Sequence, residues 1–265
     1  IMVINIFNLL LNILFVVGFG MKINGIALAS VAAQWLGFVI TLSIIKWQWK
    51  NMLCGVMARL FTRNPSWFDL PAFGQFFSLS IDLILRTLML LSCKAIFLNN
   101  AAALGDMALA AAQLVIVMFG IIAFGLDGYA HAAEALVGDA IGRKDPVMLT
   151  LVIKRTNALA FASSFLMGLI ILTVEMPIIG AFTNQQPLIE LTAQHWHWVA
   201  LMPFSACLAF QMDGIFVGAT RSRDMRNAMF VSMTVFIALT LLAAPYGLFG
   251  LLAAFTLWLG MRGLT

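Results

Sequence analysis

Four carboxylates interrupt stretches of this chain that are otherwise apolar enough to cross a lipid bilayer: Asp82, Asp127, Glu134 and Asp213. An ionised side chain inside a membrane costs several kcal/mol, so such residues usually face a cavity and serve a function. The pattern therefore favours a transporter, and it predicts that these four residues line the path of an ion or a substrate.

Three of the candidate side chains fall on one predicted helix. Asp127, His131 and Glu134 are spaced i, i+4 and i+7, so they share one face of that helix. Two carboxylates and an imidazole facing one cavity could bind a cation or relay a proton. Glu134 could instead lie at the cytoplasmic mouth and form a cap or an ion pair there. His131 could equally be a packing residue.

A second pair of charges lies earlier in the chain. Asp82 and Arg86 are i, i+4 neighbours, and this spacing predicts an intrahelical ion pair. The pair could be purely structural, or it could be a coupling device in which protonation of Asp82 releases Arg86. Asp213 is predicted at cavity depth or near the cytoplasmic boundary. The charged residues after it are predicted to form a solvated loop with local pairing: Arg221, Arg223, Asp224 and Arg226.

The first apolar run carries a polar face of its own. Asn5, Asn8 and Asn12 are spaced i, i+3 and i+7, and Ser30 of the next run could join them. Buried amides need hydrogen-bond partners. They could hold neighbouring helices together, or they could line a hydrophilic pocket.

A His-Trp-His-Trp run over 195–198 offers two explanations. The tryptophans could anchor the chain at the membrane interface, where such rings are enriched, or the histidines could bind a metal. Interface anchoring is the favoured interpretation.

The composition places these residues in an integral membrane protein. The chain is 63% hydrophobic and 10% charged, with a mean hydropathy of +1.02. A soluble domain has about 25% charged residues. The net charge of +4 does not indicate a nucleic-acid partner, because basic residues of membrane proteins gather in cytoplasmic loops. Cys54, Cys93 and Cys207 form no pattern typical of disulfides or metal sites.

The apolar runs predict an all-α polytopic fold with eight transmembrane helices, since about 20 apolar residues span a bilayer. The predicted spans are 1–20, 25–45, 76–98, 108–136, 149–174, 188–212, 227–244 and 247–263. The chain begins with Ile within an apolar run, so we expect a fragment whose beginning is missing.

Residues 47–75 are too polar to span, yet they are rich in aromatic and basic side chains. This mixture predicts a linker that lies at the cytoplasmic membrane surface. The predicted organisation is therefore two helices over 1–46, the linker over 47–75, and six helices over 76–265. A short similarity between 22–35 and 245–258, each a glycine turn followed by small residues and Trp, fits the repeated lobes of secondary transporters.

Most basic residues, Arg262 after the eighth helix among them, fall on one side of this eight-helix arrangement, and only Lys22 and Lys94 fall near the other side. The positive-inside rule then predicts that both ends of the chain are cytoplasmic.

Several motifs resemble one family. The stretches GLDGYAHAAEALVGDAIGRKD (125–145) and MDGIFVGATRSRDMRNAM (212–229) resemble the multidrug and toxic compound extrusion (MATE) family. Within it, they are similar to the DNA-damage-inducible protein F branch. The NxxNxxxN helix followed by GxALAS, and the DxxxR of the third helix, fit the same branch.

The resemblance implies a two-lobed, twelve-helix exporter of which this chain holds helices five to twelve. Such a protein, in a bacterial inner membrane, would exchange small amphipathic or cationic substrates for protons or sodium by alternating access. It would be no enzyme, would need no cofactor beyond the coupling ion, and would act as a monomer in the lipid bilayer. The branch's proton-coupling aspartate would lie on the absent first helix.

One departure from the branch concerns its fifth helix, which usually carries Asn-x-x-x-Asp. The matching positions here are Asn8 and Asn12, and Ser30 stands where a Thr is common. Asparagine does not titrate, so Asn12 either bonds to a protonatable partner elsewhere, or coupling has moved to Asp82, Asp127 or Asp213. The alternative functions are a lipid-linked sugar flippase of the wider superfamily, a membrane-embedded transferase, and a truncated product without function.

Overall fold

The computed structural model describes residues 2–48 and 70–265, and every regular element within these ranges is helical. This confirms the predicted all-α class. The chain divides into two compact units, Ile1–Leu70 and Pro71–Thr265. The predicted linker over 47–75 lies mostly outside the described residues, so its surface position and the predicted domain boundaries stay predictions.

The first unit is a pair of helices joined by a short turn. Helix α1 (Met2–Asn12) continues into one π-helical turn (Ile13–Gly18), and the chain then reverses into α2 (Lys22–Gln48). The reversal uses Gly20, whose φ of +66° is a left-handed value that glycine adopts without the Cβ penalty. Gly37 lets the helices approach closely, because a Cβ there would lie 2.6 Å from Cδ1 of Ile4.

The second unit contains eight helices. They are α3 (Leu70–Ala103), α4 (Asp106–Gly142), α5 (Pro146–Thr173), α6 (Glu175–Phe182), α7 (Gln186–Gln194), α8 (Trp196–Gly218), α9 (Ser222–Ala243) and α10 (Gly247–Met261), with a 3-10 turn (Ala244–Tyr246) before the last. The start of α5 shows why these ends are well defined. The Asp145 side chain accepts hydrogen bonds from the backbone N–H groups of Val147 and Met148, and Pro146 occupies the first turn.

Two sequence-based boundaries are wrong. The helix predicted over 188–212 is two helices, because α7 ends and α8 begins on either side of His195. The loop predicted through Arg226 is instead the first turns of α9. A carboxylate at a helix N-terminus is favoured by the helix dipole, and Asp224 lies there. The predicted local pairing is confirmed for Asp224, whose Oδ2 lies 2.6 Å from Nε of Arg221.

Five stretches of the described residues are long and apolar enough to cross a membrane. They are Lys22–Trp47, Asp106–Gly142, Pro146–Thr173, Trp196–Gly218 and Ser222–Met261, the last of which contains both α9 and α10. Many large apolar side chains on these helices are exposed, as Phe124 is at 81%. Such side chains suit contact with lipid rather than water. The molecule is therefore a membrane protein, and the count of eight spans stays a prediction.

Helix α8 is central to the second unit and packs against α4, α5 and α10. Gly214 and Gly218 permit its close approach to α4. A Cβ at Gly218 would lie 2.5 Å from the backbone oxygen of Glu134, and a Cβ at Gly214 would overlap the backbone oxygen of Ala130. Small residues four apart are typical of helices that pack tightly in membranes. This contact brings Asp213 against the carboxylate-bearing face of α4.

An aromatic cluster fills the core beside that contact. The ring of Phe255 on α10 lies 4.6–6.3 Å, between centroids, from four other buried rings: Phe97, Phe119, Phe236 and Trp258. These rings come from α3, α4, α9 and α10, and aromatic pairs at such distances add to the stabilisation from burial. The cluster therefore fixes the helices that surround the candidate site.

Candidate functional site

A cavity of about 350 Å³ lies among α3, α4, α8 and the end of α10. It gathers most of the charged side chains of the bundle interior: Arg86, Lys94, Asp127, His131, Glu134, Asp213 and Arg262. Four of the residues predicted from sequence, Arg86, Asp127, Glu134 and Asp213, thus meet at one site. Asp82 does not line this cavity.

Asp213 is shared by two arginines. Its Oδ2 accepts hydrogen bonds from Nη2 of Arg86 on α3 and from Nη2 of Arg262, the latter at 2.9 Å. Hydrogen bonds between ionised partners are the stronger ones, and two of them fix the position of this carboxylate. The arrangement joins α3, α8 and the end of α10 at the level of the cavity.

The predicted Asp82–Arg86 ion pair is wrong, because each side chain pairs with another helix. Asp82 is 3% exposed, and it accepts hydrogen bonds from Nη1 of Arg226 at 2.6 Å and from Oγ of Ser222 at 3.1 Å. The i, i+4 rule describes an isolated helix. In the bundle, α8 places Asp213 beside Arg86, and α9 places Arg226 beside Asp82. The second role proposed for this pair was release of Arg86 on protonation of Asp82. That role is excluded as well, because the two side chains do not pair with each other.

The three side chains on α4 line the cavity as their spacing predicts, yet their surroundings differ. His131 is 77% exposed, and its Nδ1 lies 3.4 Å from Oε2 of Glu134. This contact fits a pairing role for Glu134 at the cavity mouth. Asp127 is half-buried one turn deeper, and it has no hydrogen bond or ion pair within the described ranges. Nor do any three His, Cys, Asp or Glu side chains of these ranges form a group that could hold a metal ion.

Two cationic residues that line the cavity, Lys94 and Arg262, were not predicted as site residues from the sequence. Arg262 was assigned to the cytoplasmic side, but its side chain is 4% exposed in the structure. Phe255, Trp258 and Arg262 are spaced i, i+3 and i+7, so the buried aromatic face of α10 was the available signal. Lys94 was placed near the opposite side, and its ammonium lies 5.3 Å from the ring centroid of Phe119.

The polar face of the first unit is partly assembled as predicted. Nδ2 of Asn12 donates to Oδ1 of Asn8 at 2.7 Å, and Nδ2 of Asn8 lies 3.5 Å from Oγ of Ser30. Asn5 is exposed and forms no part of this chain of contacts. The Asn12 Oδ1 atom is buried and has no hydrogen-bond donor among the residues described. The set can therefore accept one more hydrogen bond, but it carries no charge.

The interface-anchor interpretation of the His-Trp-His-Trp run is wrong for its first tryptophan. Trp196 is fully buried, and its Nε1 donates to the backbone oxygen of Ile171 at 2.8 Å. Trp198 is partly buried against the ring of Phe249, with centroids 5.4 Å apart. Trp196 therefore fixes the start of α8 to the end of α5.

Comparison with known proteins agrees with the fold and with the motifs. The MatE family model matches residues 83–257. The DNA damage-inducible protein F of Escherichia coli is 30% identical over 263 residues, which cover 98% of this chain and 56% of that protein. Protein DETOXIFICATION 43 of Arabidopsis thaliana is 24% identical over 262 residues, covering 98% of this chain and 48% of its own length.

A crystal structure of the Vibrio cholerae MATE transporter VcmN, in a mutant form, superposes with a TM-score of 0.82 at 17% sequence identity. The match covers 99% of this chain and 58% of that one. The chain thus spans about half the length of the proteins it matches. Since the family model covers well over half of its residues, the chain belongs to the MatE family of membrane transporters and is not an enzyme.

Proposed function

We propose that the protein is a secondary active exporter, which moves small amphipathic or cationic compounds outward in exchange for protons or sodium ions by alternating access. The observation that carries the proposal is Asp127. It is a carboxylate on a membrane-spanning helix, it lines a cavity, and it forms no hydrogen bond or ion pair with the described side chains. A carboxylate left in this position is a site whose charge a bound cation can neutralise.

Competition for Asp127 provides the coupling. A proton, a sodium ion or a cationic substrate can each neutralise the same carboxylate, so the binding of one displaces another. Exchange across the membrane follows if the occupied and empty cavities favour different conformations, because a ligand shifts such an equilibrium by its differential affinity.

Asp213 has a different part in this proposal. Its two arginine partners already compensate its charge, so it holds the cavity wall together while Asp127 exchanges ligands. Arg86, Asp213 and Arg262 line the same cavity as Asp127, so a change of charge at Asp127 alters the electrostatic field at their contacts. Because those contacts join α3, α8 and the end of α10, the charge in the cavity is coupled to the packing of these elements.

We also propose that the protein lies in a bacterial inner membrane with both chain ends cytoplasmic. Arg143 and Lys144 follow α4, and Arg221 precedes α9. The turns after α4 and after α8 lie at the same end of the bundle, since Gly138 approaches Gly218. Cationic turns at one end support a cytoplasmic assignment for that end.

The flippase alternative gains one observation, because Lys94 and Arg262 make the cavity more basic than the sequence indicated. The part of the cavity that this chain forms measures about 350 Å³, within the range of small-molecule pockets, about 300–1,000 Å³. Three carboxylates also balance the three cations. The exporter therefore remains the better-supported function.

The test is transport by the full-length protein in vesicles with an imposed proton or sodium gradient. We expect the gradient to drive movement of a fluorescent organic cation, and we expect Asp127→Asn to abolish that movement without loss of expression. Asp139→Asn is the matched control, because Asp139 lies on the same helix but is exposed and paired with Arg143. Gradient-driven transport that persists in Asp127→Asn would overturn the assigned role of Asp127.

A further inference from the structure

We infer that a phospholipid binds in a groove between α4, α5 and α6, with one acyl chain inside the groove and an ethanolamine headgroup at Glu175. The groove shares no lining residue with the cavity that contains Asp127. The inference therefore goes beyond the proposed function and does not depend on it. It assigns a lipid of stated headgroup to the surface of the second unit.

The groove is an apolar cleft of about 640 Å³. Met118 and Ile122 of α4 line it, together with residues of α5 between Ser163 and Ile171 and with one face of α6. Ser163 is the one polar residue among the described residues that line the groove, and its hydroxyl is already paired with that of Tyr129. The groove thus offers a ligand apolar contacts along its length.

The position of the groove identifies its occupant as lipid. Both α4 and α5 are long and apolar enough to cross the membrane, and the lining side chains of Ile121, Leu166 and Ile170 are 50–57% exposed. On α5 the lining runs from Ser163 to Ile171, which corresponds to about 12 Å at 1.5 Å per residue. That length is most of one leaflet, since the hydrocarbon core of a bilayer is about 30 Å thick. The groove therefore matches one acyl chain.

The concave shape of the groove distinguishes a bound chain from the surrounding lipid. Lipid tails are as apolar as these side chains, so packing decides which lipid molecule stays bound. A chain in the groove contacts three helices, and each contact adds dispersion energy. Met118 and Met167 adapt to the shape of the chain, because methionine side chains are flexible and polarizable.

Glu175 supplies a partner for the headgroup. It lies in the chain between Ile171 and Pro177, which both line the groove, and just beyond the membrane span that ends at Thr173. Its side chain is partly exposed and forms no hydrogen bond or ion pair with the described side chains. An ethanolamine ammonium can donate charge-assisted hydrogen bonds to this carboxylate. A phospholipid with a net negative charge is repelled by the same group.

The experiment is native mass spectrometry of the full-length protein, which is freed of lipid in detergent and then titrated with one of two lipids. Palmitoyl-oleoyl phosphatidylethanolamine and palmitoyl-oleoyl phosphatidylglycerol share their acyl chains, and only the first carries an ammonium group. We expect the first bound phosphatidylethanolamine to have an affinity about two- to fivefold above that of phosphatidylglycerol, as an ion pair at an exposed site implies.

Two variants test the two ends of the lipid separately. Glu175→Gln should remove the preference for phosphatidylethanolamine, whereas Glu190→Gln, at an exposed residue of α7 that bonds to Gln186, should keep it. Ala181→Trp places a ring in the groove and should weaken both lipids about tenfold. Leu241→Trp is its control, because Leu241 is a 72% exposed residue of α9 outside the groove.

Three results would overturn the inference. One is equal affinity of the unaltered protein for the two lipids, and another is a preference that survives in Glu175→Gln. The third is unchanged lipid binding in Ala181→Trp together with a lower unfolding midpoint, which would show that a segment of the full-length chain covers the groove. Glu175→Gln is nearly isosteric, so it still decides the question if Ala181→Trp fails to fold. Since neither substrate nor gradient is used, failure here is distinct from failure of the exporter proposal.

Discussion

Asp82 and Asp213 are both held by arginines in the same helical bundle, yet their surroundings differ. Asp82 is sealed: Arg226 and Ser222 satisfy its oxygens, and almost none of its surface is accessible. Asp213 faces a cavity together with Asp127, which forms no hydrogen bond or ion pair in the described ranges. The buried, fully hydrogen-bonded Asp82 fixes α3 to α9, whereas the accessible cavity is where the proposed function places competition between ligands.

The polar face of the first unit adds a contrast. Asn8, Asn12 and Ser30 form a hydrogen-bonded chain without any titratable group. Such a chain can orient a ligand or a neighbouring group, but it cannot release a proton. Titratable groups that line a cavity therefore occur, within the described residues, in the second unit.

The largest effect is expected where the sealed cluster is broken. Arg226→Met leaves the buried Asp82 carboxylate without its ionic partner. Loss of one partner of a fully buried pair costs about 3–5 kcal/mol, and the cost here is smaller, about 2–4 kcal/mol, because the Arg226 side chain is 34% exposed. We expect the thermal unfolding midpoint in detergent to fall steeply. Arg223→Met is the control, because Arg223 is exposed, and we expect a change below about 0.5 kcal/mol. A similar midpoint for both variants would show that Asp82 is not sealed.

The next effect concerns the helix contact that builds the cavity. Gly214→Ala would place a methyl group against the backbone oxygen of Ala130, so we expect a loss of about 1–3 kcal/mol in the free energy of unfolding. Gly120→Ala on α4 meets no atom within 4 Å and should not destabilise. The comparison is made by thermal unfolding, and equal stability of the two variants would contradict the close approach of α8 to α4.

Asp213→Asn should destabilise the bundle less than Arg226→Met does. It weakens two charged hydrogen bonds, worth roughly 1.5–3 kcal/mol in buried sites, but solvent reaches this carboxylate and reduces the loss to about 1–2 kcal/mol. We expect a moderate fall in the unfolding midpoint together with reduced transport in vesicles. A loss of stability as large as that of Arg226→Met would remove the distinction between the two clusters.

The smallest effect is expected at the cavity mouth. Glu134 contacts only His131, and both side chains are well exposed, so Glu134→Gln should cost no more than about 0.5 kcal/mol. Transport of an organic cation should stay near the unaltered rate. Complete loss of transport in this variant would place coupling at Glu134 and move it away from Asp127.

Local patterns predicted much of this architecture. The apolar runs identified the long helices, although they merged α7 with α8 and missed α6. The i, i+4, i+7 spacing correctly placed Asp127, His131 and Glu134 on the cavity side of α4. The partners of Asp82 and Arg86 were not predictable from their spacing, because the deciding arginines and carboxylates come from helices more than 120 residues later. Arg262 was missed because a basic residue at a helix end usually faces water. The sequence signal for its burial was that Arg262 shares a helix face with the aromatic residues Phe255 and Trp258.

The central claim is that a coupling cation and a cationic substrate compete for Asp127. The direct measurement is the affinity of the full-length protein for tetraphenylphosphonium in detergent, at increasing proton and sodium concentrations, for the unaltered protein, Asp127→Asn and Asp139→Asn. We predict that one of the two ions weakens binding to the unaltered protein and to Asp139→Asn, and that binding to Asp127→Asn does not respond. An equal response in all three proteins would contradict the claim.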